Sequence, residues 1–307
     1  MTALLVRRVG GFLATLFAIA TLSFFLLRAA PGGPFDADRV VDPAVQAAQE
    51  AKYGLDRPLI AQFGSYLADL GLRGDLGPSS QYPGMTVNEV IAESFPPSLA
   101  LGGLALAIAL VLGIVVGIAG GVRPGSVVDR VLTVVTFAGV SVPNFVVGAL
   151  LLAVFALGLG WLPAGGLTGP ASLILPAITL ALPIAAVIAR LTRSGLAETL
   201  DEDYIRTARA KGLRERRVVA VHALRISLLP VVSFLGPAAA AALTGSVVVE
   251  RIFALPGLGT HFVNGALNRD YSLVLGVVLV YAALLVLLNL ISDMLLPLVD
   301  PRIRRES

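Results

Sequence analysis

The chain has no cysteine, two histidines, two lysines and one tryptophan in 307 residues, and only 14% of it is charged. Without cysteine it forms no disulfides and no thiolate metal sites, and its redox compartment is not readable. His222 and His261 are too few for a catalytic or metal-binding histidine cluster, so no metal ligand is expected. Neither sits in a His-Glu-x-x-His pattern or offers the setting of a serine protease's base. No catalytic residue is therefore expected, and an enzyme is the weak hypothesis. A phosphate-cradling nucleotide loop needs Lys followed by Ser or Thr. Here Lys52 precedes Tyr53 and Lys211 precedes Gly212, which excludes a Walker-type site within this polypeptide.

What is abundant is apolar. The chain is 56% hydrophobic, with a mean hydropathy of +0.86. Its length would suggest two soluble domains, but apolar runs long enough to cross a bilayer overrule that. Six spans are predicted, at about 9–30, 98–122, 131–158, 172–192, 226–249 and 272–299. With the N-terminus inside, 16 of the Lys and Arg residues fall on the cytoplasmic side and seven outside, while the acidic residues split nearly evenly. The positive-inside rule puts both termini in the cytoplasm, together with the hydrophilic stretch 199–217. The chain reads as an all-α polytopic membrane protein with six transmembrane helices. Arg7-Arg8 before the first run also fits a signal peptide, but Val9–Leu27 is longer than a signal core and no small-x-small cleavage site follows. A twin-arginine signal fits less well, since Val9-Gly10-Gly11 follows the arginines.

Residues 31–97 are the one sizeable outside segment, with Pro31-Gly-Gly-Pro34, an Ala/Gln/Glu-rich helical stretch near 43–53 and a turn-rich run from Gly71 to Gly84. They predict a cap on the outer face. Ala105, Ala109, Gly113, Gly117 and Gly121 recur every four residues in the second span, which predicts a seam where two helix backbones approach closely. Pro143, Pro176, Pro183, Pro230, Pro237 and Pro297 fall inside later spans. Broken backbone at membrane depth suits a cavity lining, so Ser141, Pro143 and Asn144 are candidates for a translocation path, with plain kinks as the alternative. Few ionisable residues enter the spans. Glu250, Arg251 and Asp293 lie close enough to an interface to snorkel, and Glu250 is kept as a path candidate. No midplane carboxylate of the kind a proton-coupled transporter carries is present.

The stretch 199–217 reads as a short capped helix. Thr199 and Glu202 have capping-box spacing; Asp201, Glu202 and Asp203 suit the positive end of the helix dipole and Lys211 the negative end. Gly212 suits the left-handed residue that closes a helix. Tyr204, Ala208 and Gly212 give one low-profile face. The plainer alternative is an amphipathic helix lying on the membrane surface.

Tyr204-Ile-Arg-Thr-Ala-Arg-Ala-Lys-Gly-Leu213, continuing through His222-Ala-Leu-Arg225 to Leu228-Leu-Pro230, resembles the EAA loop of binding-protein-dependent ABC importer permeases, in the form of the peptide/nickel branch. Of the general Glu-Ala-Ala-x-x-x-Gly pattern, only Ala208 and Gly212 are kept. Ser23–Phe35, Glu50–Leu55, Gly74–Ser79, Pro256–Gly259, Phe262–Leu275 and Asp300–Arg302 extend the likeness over nearly the whole chain. Together they resemble OppB-type oligopeptide permease subunits more closely than dipeptide, nickel or glutathione permeases.

The resemblance implies a type I importer (MetI-like) fold. Residues 1–97 would form the first helix and cap, 98–300 a five-helix core containing the coupling loop 194–225, and 301–307 a cytoplasmic tail. It implies a location in the bacterial cytoplasmic membrane. The implied partners are a second homologous permease, two cytoplasmic ATPases and an extracytoplasmic peptide-binding protein, with no nucleic acid. No cofactor is expected on this chain, ATP and Mg being held by the ATPases. The ATPase-coupling residues carried over are Asp203, Tyr204, Arg206, Ala208, Arg209, Ala210, Lys211 and Gly212, with Arg209 and Lys211 placed to pair with ATPase acids. The alternatives are a same-family permease for dipeptides, glutathione or nickel, and a stand-alone secondary transporter or channel.

Overall fold

A computed structural model describes residues 2–29 and 54–299. The expected helical stretch near 43–53, the tail 301–307 and the side chain of Asp293 lie outside what it describes. Among the described residues there is no strand, only an isolated bridge between Pro78 and Thr86. The helices are α1 (Thr2–Ala29), α2 (Leu59–Arg73), α3 (Val87–Gly121), α4 (Val127–Ser141), α5 (Asn144–Leu151), α6 (Ile174–Leu200) and α7 (Asp203–Ala210). They continue with α8 (Glu215–Arg217), α9 (Leu224–Ser227), α10 (Leu229–Thr244), α11 (Ser246–Ile252), α12 (Leu258–Leu267) and α13 (Tyr271–Val299). Among the described residues, five helical stretches are long and apolar enough to cross a membrane: Arg7–Ala29, Val87–Gly121, Pro170–Leu200, Leu229–Ile252 and Tyr271–Ser292.

The sixth is not the continuous span the sequence predicts. Val127–Ser141 and Asn144–Gly158 meet at an angle of 101°. Pro143 lacks an N–H and its ring pushes Val142 out of the helical region, to φ −83° and ψ 124°, so α4 must end there. The second span also differs. Its helix starts at Val87 rather than near 98, running straight through Pro96 and Pro97. The amphipathic α2, lying mostly between the expected helical stretch near 43–53 and the turn-rich run that starts at Gly71, is an element the sequence did not predict.

The described residues form two compact units, one within Met1–Ser98 and Pro256–Val286, the other within Leu99–Leu255 and Leu287–Ser307. In the first, Val87, Val90, Leu258, Leu273 and Val277 are the buried centre. A Cβ on Gly276 would stand 2.5 Å from Val87 Cγ1, so α13 and the start of α3 touch there as only a glycine permits. Asp270, buried, accepts from the backbone N–H groups of Ser80 and Gln81 at 3.0 and 3.1 Å and of Leu273 at 3.1 Å. It caps α13 and ties the turn-rich run to it.

In the second unit α6 is the central element, packed against α4, α5, α9, α10 and α11. Its Leu175, Leu180, Ala181, Ile184 and Ile188 are buried. The expected small-residue seam is the α3–α6 contact. Ala105 and Ala109 are fully buried. A Cβ on Gly113 would lie 2.7 Å from Ile188 Cβ, one on Gly117 2.5 Å from Thr192 Cβ, and one on Gly121 3.0 Å from Leu196 Cβ. Two buried hydroxyls return to the turn before them: Thr179 Oγ1 donates to the Leu175 carbonyl at 2.8 Å and Ser227 Oγ to that of Ala223 at 2.6 Å. That removes the cost of an unpaired donor in a medium without water.

Candidate coupling surface

The loop between α6 and α10 stands on a small core of its own. Ile205 and Ala208 of α7 are buried against Leu196 and Leu200 of α6, and against Val218 and Ala223, which bracket the π-wound stretch Val218–Ala223 between α8 and α9. Gly195 lets this arrangement close, because a Cβ there would sit 2.5 Å from the Ser227 carbonyl oxygen. The rest of α7 and the turn after it are open to solvent: Asp203, Tyr204, Arg206, Thr207, Arg209, Ala210, Lys211 and Gly212 are all exposed.

Three expectations are corrected here. The Thr199–Glu202 capping box does not form. Thr199 lies inside α6 with its hydroxyl on the Gly195 carbonyl at 2.7 Å, and Glu202 is the N-cap of α7 without a side-chain hydrogen bond. The helix therefore begins at Asp203. Ala208 does not share an open face with Tyr204 and Gly212: it is only 7% exposed and points at its own chain. Arg209 is not a free cation. Its Nη2 donates to Glu215 Oε1 at 2.7 Å and its Nη1 to the Leu200 carbonyl at 3.3 Å. Arg209 holds the Glu215 carboxyl below its usual range. Glu215 thus acts as a staple across the turn, and only its place six residues after Arg209 hinted at it.

Other expectations match the geometry. Gly212 is in the left-handed region at φ +77°, with open space where a side chain would be. Its N–H reaches the Arg209 carbonyl at 2.9 Å. Arg206 and Asp203 pair loosely at 3.3 Å, and Tyr204's hydroxyl donates to the His222 carbonyl at 3.3 Å. Lys211 is the C-cap.

The path candidates fall on three helices, α4, α5 and α11. Ser141 ends α4 with its hydroxyl on the Phe137 carbonyl at 2.9 Å, Pro143 makes the bend and Asn144 opens α5. Glu250 lies on α11, which packs on α5. Its side chain is fully buried rather than snorkelling to an interface. Among the described residues no group of three or more His, Cys, Asp or Glu could hold a metal ion.

This fold and loop have known counterparts. Residues 94–305 match the model for the binding-protein-dependent transport system inner membrane component, and residues 1–101 match that family's N-terminal membrane component. The chain belongs to this permease family. It is a multi-pass inner membrane protein and the non-catalytic membrane subunit of an ABC importer, a role that requires an ATPase and a substrate-binding protein as partners.

Among relatives of this permease is the oligopeptide transport system permease protein OppB of Haemophilus influenzae, 46% identical over 95% of this chain and 96% of its own. OppB of Salmonella typhimurium is 46% identical over 99% of this chain and 100% of its own. The dipeptide transport system permease protein DppB of Bacillus subtilis is 40% identical, covering 99% of this chain and 98% of its own. In fold, the permease is similar to a chain of the MetNI methionine ABC transporter in inward-facing conformations. That match has a TM-score of 0.55 and 22% identity, and covers 69% of this chain and 96% of that one.

Proposed function

We propose that this permease serves an ATP-driven importer of oligopeptides, and that the outer face of α7 with Gly212 is where one cytoplasmic ATPase docks. The observation that carries the docking reading is the two-sidedness of α7. Its inner residues, Ile205 and Ala208, are anchored in a buried cluster with α6, while its outer residues are exposed. A force on that outer face passes to α6 through this cluster. Asp203, Tyr204, Arg206, Ala210, Lys211 and Gly212 form the docking face, whereas Ala208 and Arg209 hold it in place from behind.

In this reading a second, homologous permease completes the pathway, two ATPases carry ATP and Mg, and an extracytoplasmic peptide-binding protein delivers the substrate. Both termini and α7 face the cytoplasm. ATP binding closes the ATPase pair and moves α7, which turns the cavity outward, and hydrolysis resets it. Ser141, Pro143, Asn144 and Glu250 lie on the path, where the bend at Pro143 opens helical backbone. Dipeptides are the second substrate reading, favoured by the 40% identity to a dipeptide permease.

The test is co-purification in mild detergent of this chain expressed with its neighbouring genes, followed by peptide uptake in reconstituted vesicles. A homologous permease and two ATPases, with uptake of tri- and tetrapeptides, is the expected result. Recovery of this chain alone, active without ATPases, would replace the reading with a stand-alone transporter. Uptake of dipeptides only would move the substrate class.

A further inference from the structure

Two adjoining cavities open between α3, α4 and α6. One, of about 150 Å³, is lined by Val116, Leu132, Phe137 and Arg190, with Gly120 and Arg193. The other, of about 140 Å³, is lined by Leu112, Val135, Gly139, Leu182 and Ala186. Val116, Thr136 and Ala189 line both, so the two are one groove with a cationic end and an apolar end. It lies on the side of α4 where Val134, Val135 and Phe137 are exposed.

The polar groups at the cationic end are mostly committed. Arg193 directs Nε and Nη2 at Asp129. Thr136 spends its hydroxyl proton on the Leu132 and Thr133 carbonyls, both at 2.9 Å. Arg190 is different: it is exposed and has no ion-pair partner among the described residues. Arg123 and Arg130, at the α3–α4 turn of the same unit, are exposed in the same way. A guanidinium at the mouth of an apolar trough suits a ligand with one anionic group and a hydrocarbon tail. It does not suit a peptide, whose amides would find no free partner along Leu112, Val135 and Leu182.

We infer that this groove holds a single anionic phospholipid, its phosphate on Arg190 and one acyl chain running past Val116 toward Leu182 and Gly139. Charge selects the lipid. Arg190 attracts a phosphate on any headgroup, but with Arg123 and Arg130 also exposed and cationic in the same unit, a net negative headgroup is favoured over a zwitterionic one. The small side of Gly139 leaves room for the chain, since even a Cβ there would stand 3.4 Å from Ala186 Cβ and any longer side chain would extend into the groove.

The test is native mass spectrometry of the full-length chain in detergent, titrated with equal phosphatidylglycerol and phosphatidylcholine. One phosphatidylglycerol should be retained in preference. Arg190→Gln should lower that retention about fivefold, the worth of one arginine at an anionic surface. Arg190→Lys should restore most of it, Gly139→Phe should lower retention of both lipids, and Arg217→Gln should change nothing. Helical circular dichroism and a monodisperse elution identify variants that remain folded, and Arg190→Gln, altering an exposed side chain, is the decisive one. Equal retention by wild type and Arg190→Gln, or equal binding of both lipids, overturns the inference. So does cross-linking of Gly139→Cys, unique in a chain without cysteine, to a partner polypeptide in the assembled transporter.

Discussion

Asp129 and Arg193 close a two-pronged ion pair between the first turn of α4 and α6, the carboxylate buried and the guanidinium 37% exposed. The pair is built locally. Gly125 N–H donates to Asp129 Oδ2 at 2.8 Å, and the Asp129 N–H to its N-cap Ser126 at 3.2 Å. Removing the cation strands a buried carboxylate, whereas neutralising the carboxylate leaves an arginine that can reach water. Arg193→Ala should therefore cost about 3 kcal/mol, the lower end for a broken buried pair. Asp129→Asn, which keeps an acceptor for Gly125, should cost less. Thermal unfolding in detergent checks the order. Equal midpoints for Arg193→Ala and wild type would mean the pair contributes nothing.

The α3–α6 seam gives a paired test on one helix. Gly117→Ala must place a Cβ 2.5 Å from Thr192 Cβ and 2.6 Å from the Ala189 oxygen, so the helices must part. Overpacking of this kind costs about 1–3 kcal/mol. Gly103→Ala meets nothing within 4 Å and should be neutral or gain up to about 1 kcal/mol from helix propensity. Yields of folded protein and melting midpoints should diverge accordingly. Two equally tolerated substitutions would show that the seam is looser than its geometry.

Much of this was legible in the sequence, for reasons that also explain what was not. Span number followed from apolar length, and the seam from small residues four apart, because both signals are periodic. Gly212 was legible because a left-handed turn excludes most other residues. The failures were tertiary. The pattern from Thr199 to Glu202 fits a capping box, yet α6 continues through Thr199 because Leu196 and Leu200 are buried with Ile205. Tyr204, Ala208 and Gly212 share a helical spacing, but which side of a short helix faces its own chain depends on elements distant in sequence, here Val218 and Ala223. Asp129 and Asp270 were not singled out in the sequence, because their buried partners lie 64 and 191 residues away.

The staple between Arg209 and Glu215 has a pH signature. A carboxyl held below its usual value contributes stability that is complete above the unfolded pKa, about 4.3, and is lost as pH falls through the lower folded value. At neutral pH the pair is therefore fully formed. Its side chains are 40% and 51% exposed, so solvent screening limits it to about 0.5 kcal/mol. Glu215→Gln should speed amide exchange across Lys211–Arg217 about twofold at pH 7, and the difference from wild type should vanish well below pH 4. A much larger change at neutral pH would mean that the staple, rather than the Ile205 cluster, holds the loop.

The two faces of α7 make separable predictions about docking. Ala208→Leu overfills the cluster around Ile205 and should loosen the loop itself, seen as faster proteolysis at Arg214–Arg217, at a cost of about 1–3 kcal/mol. Ala210→Leu adds bulk to the bare face and should leave proteolysis unchanged while lowering ATPase co-purification. Gly212→Trp combines a forced positive φ with bulk and should abolish transport with membrane insertion intact. Gly212→Asn separates these effects, since Asn tolerates the left-handed region and adds little bulk, so it should keep substantial uptake. If Gly212→Asn were as inactive as Gly212→Trp, close approach at that point, not backbone shape, would be what the ATPase requires. If Gly212→Trp transported normally, the ATPase would have to dock on another face.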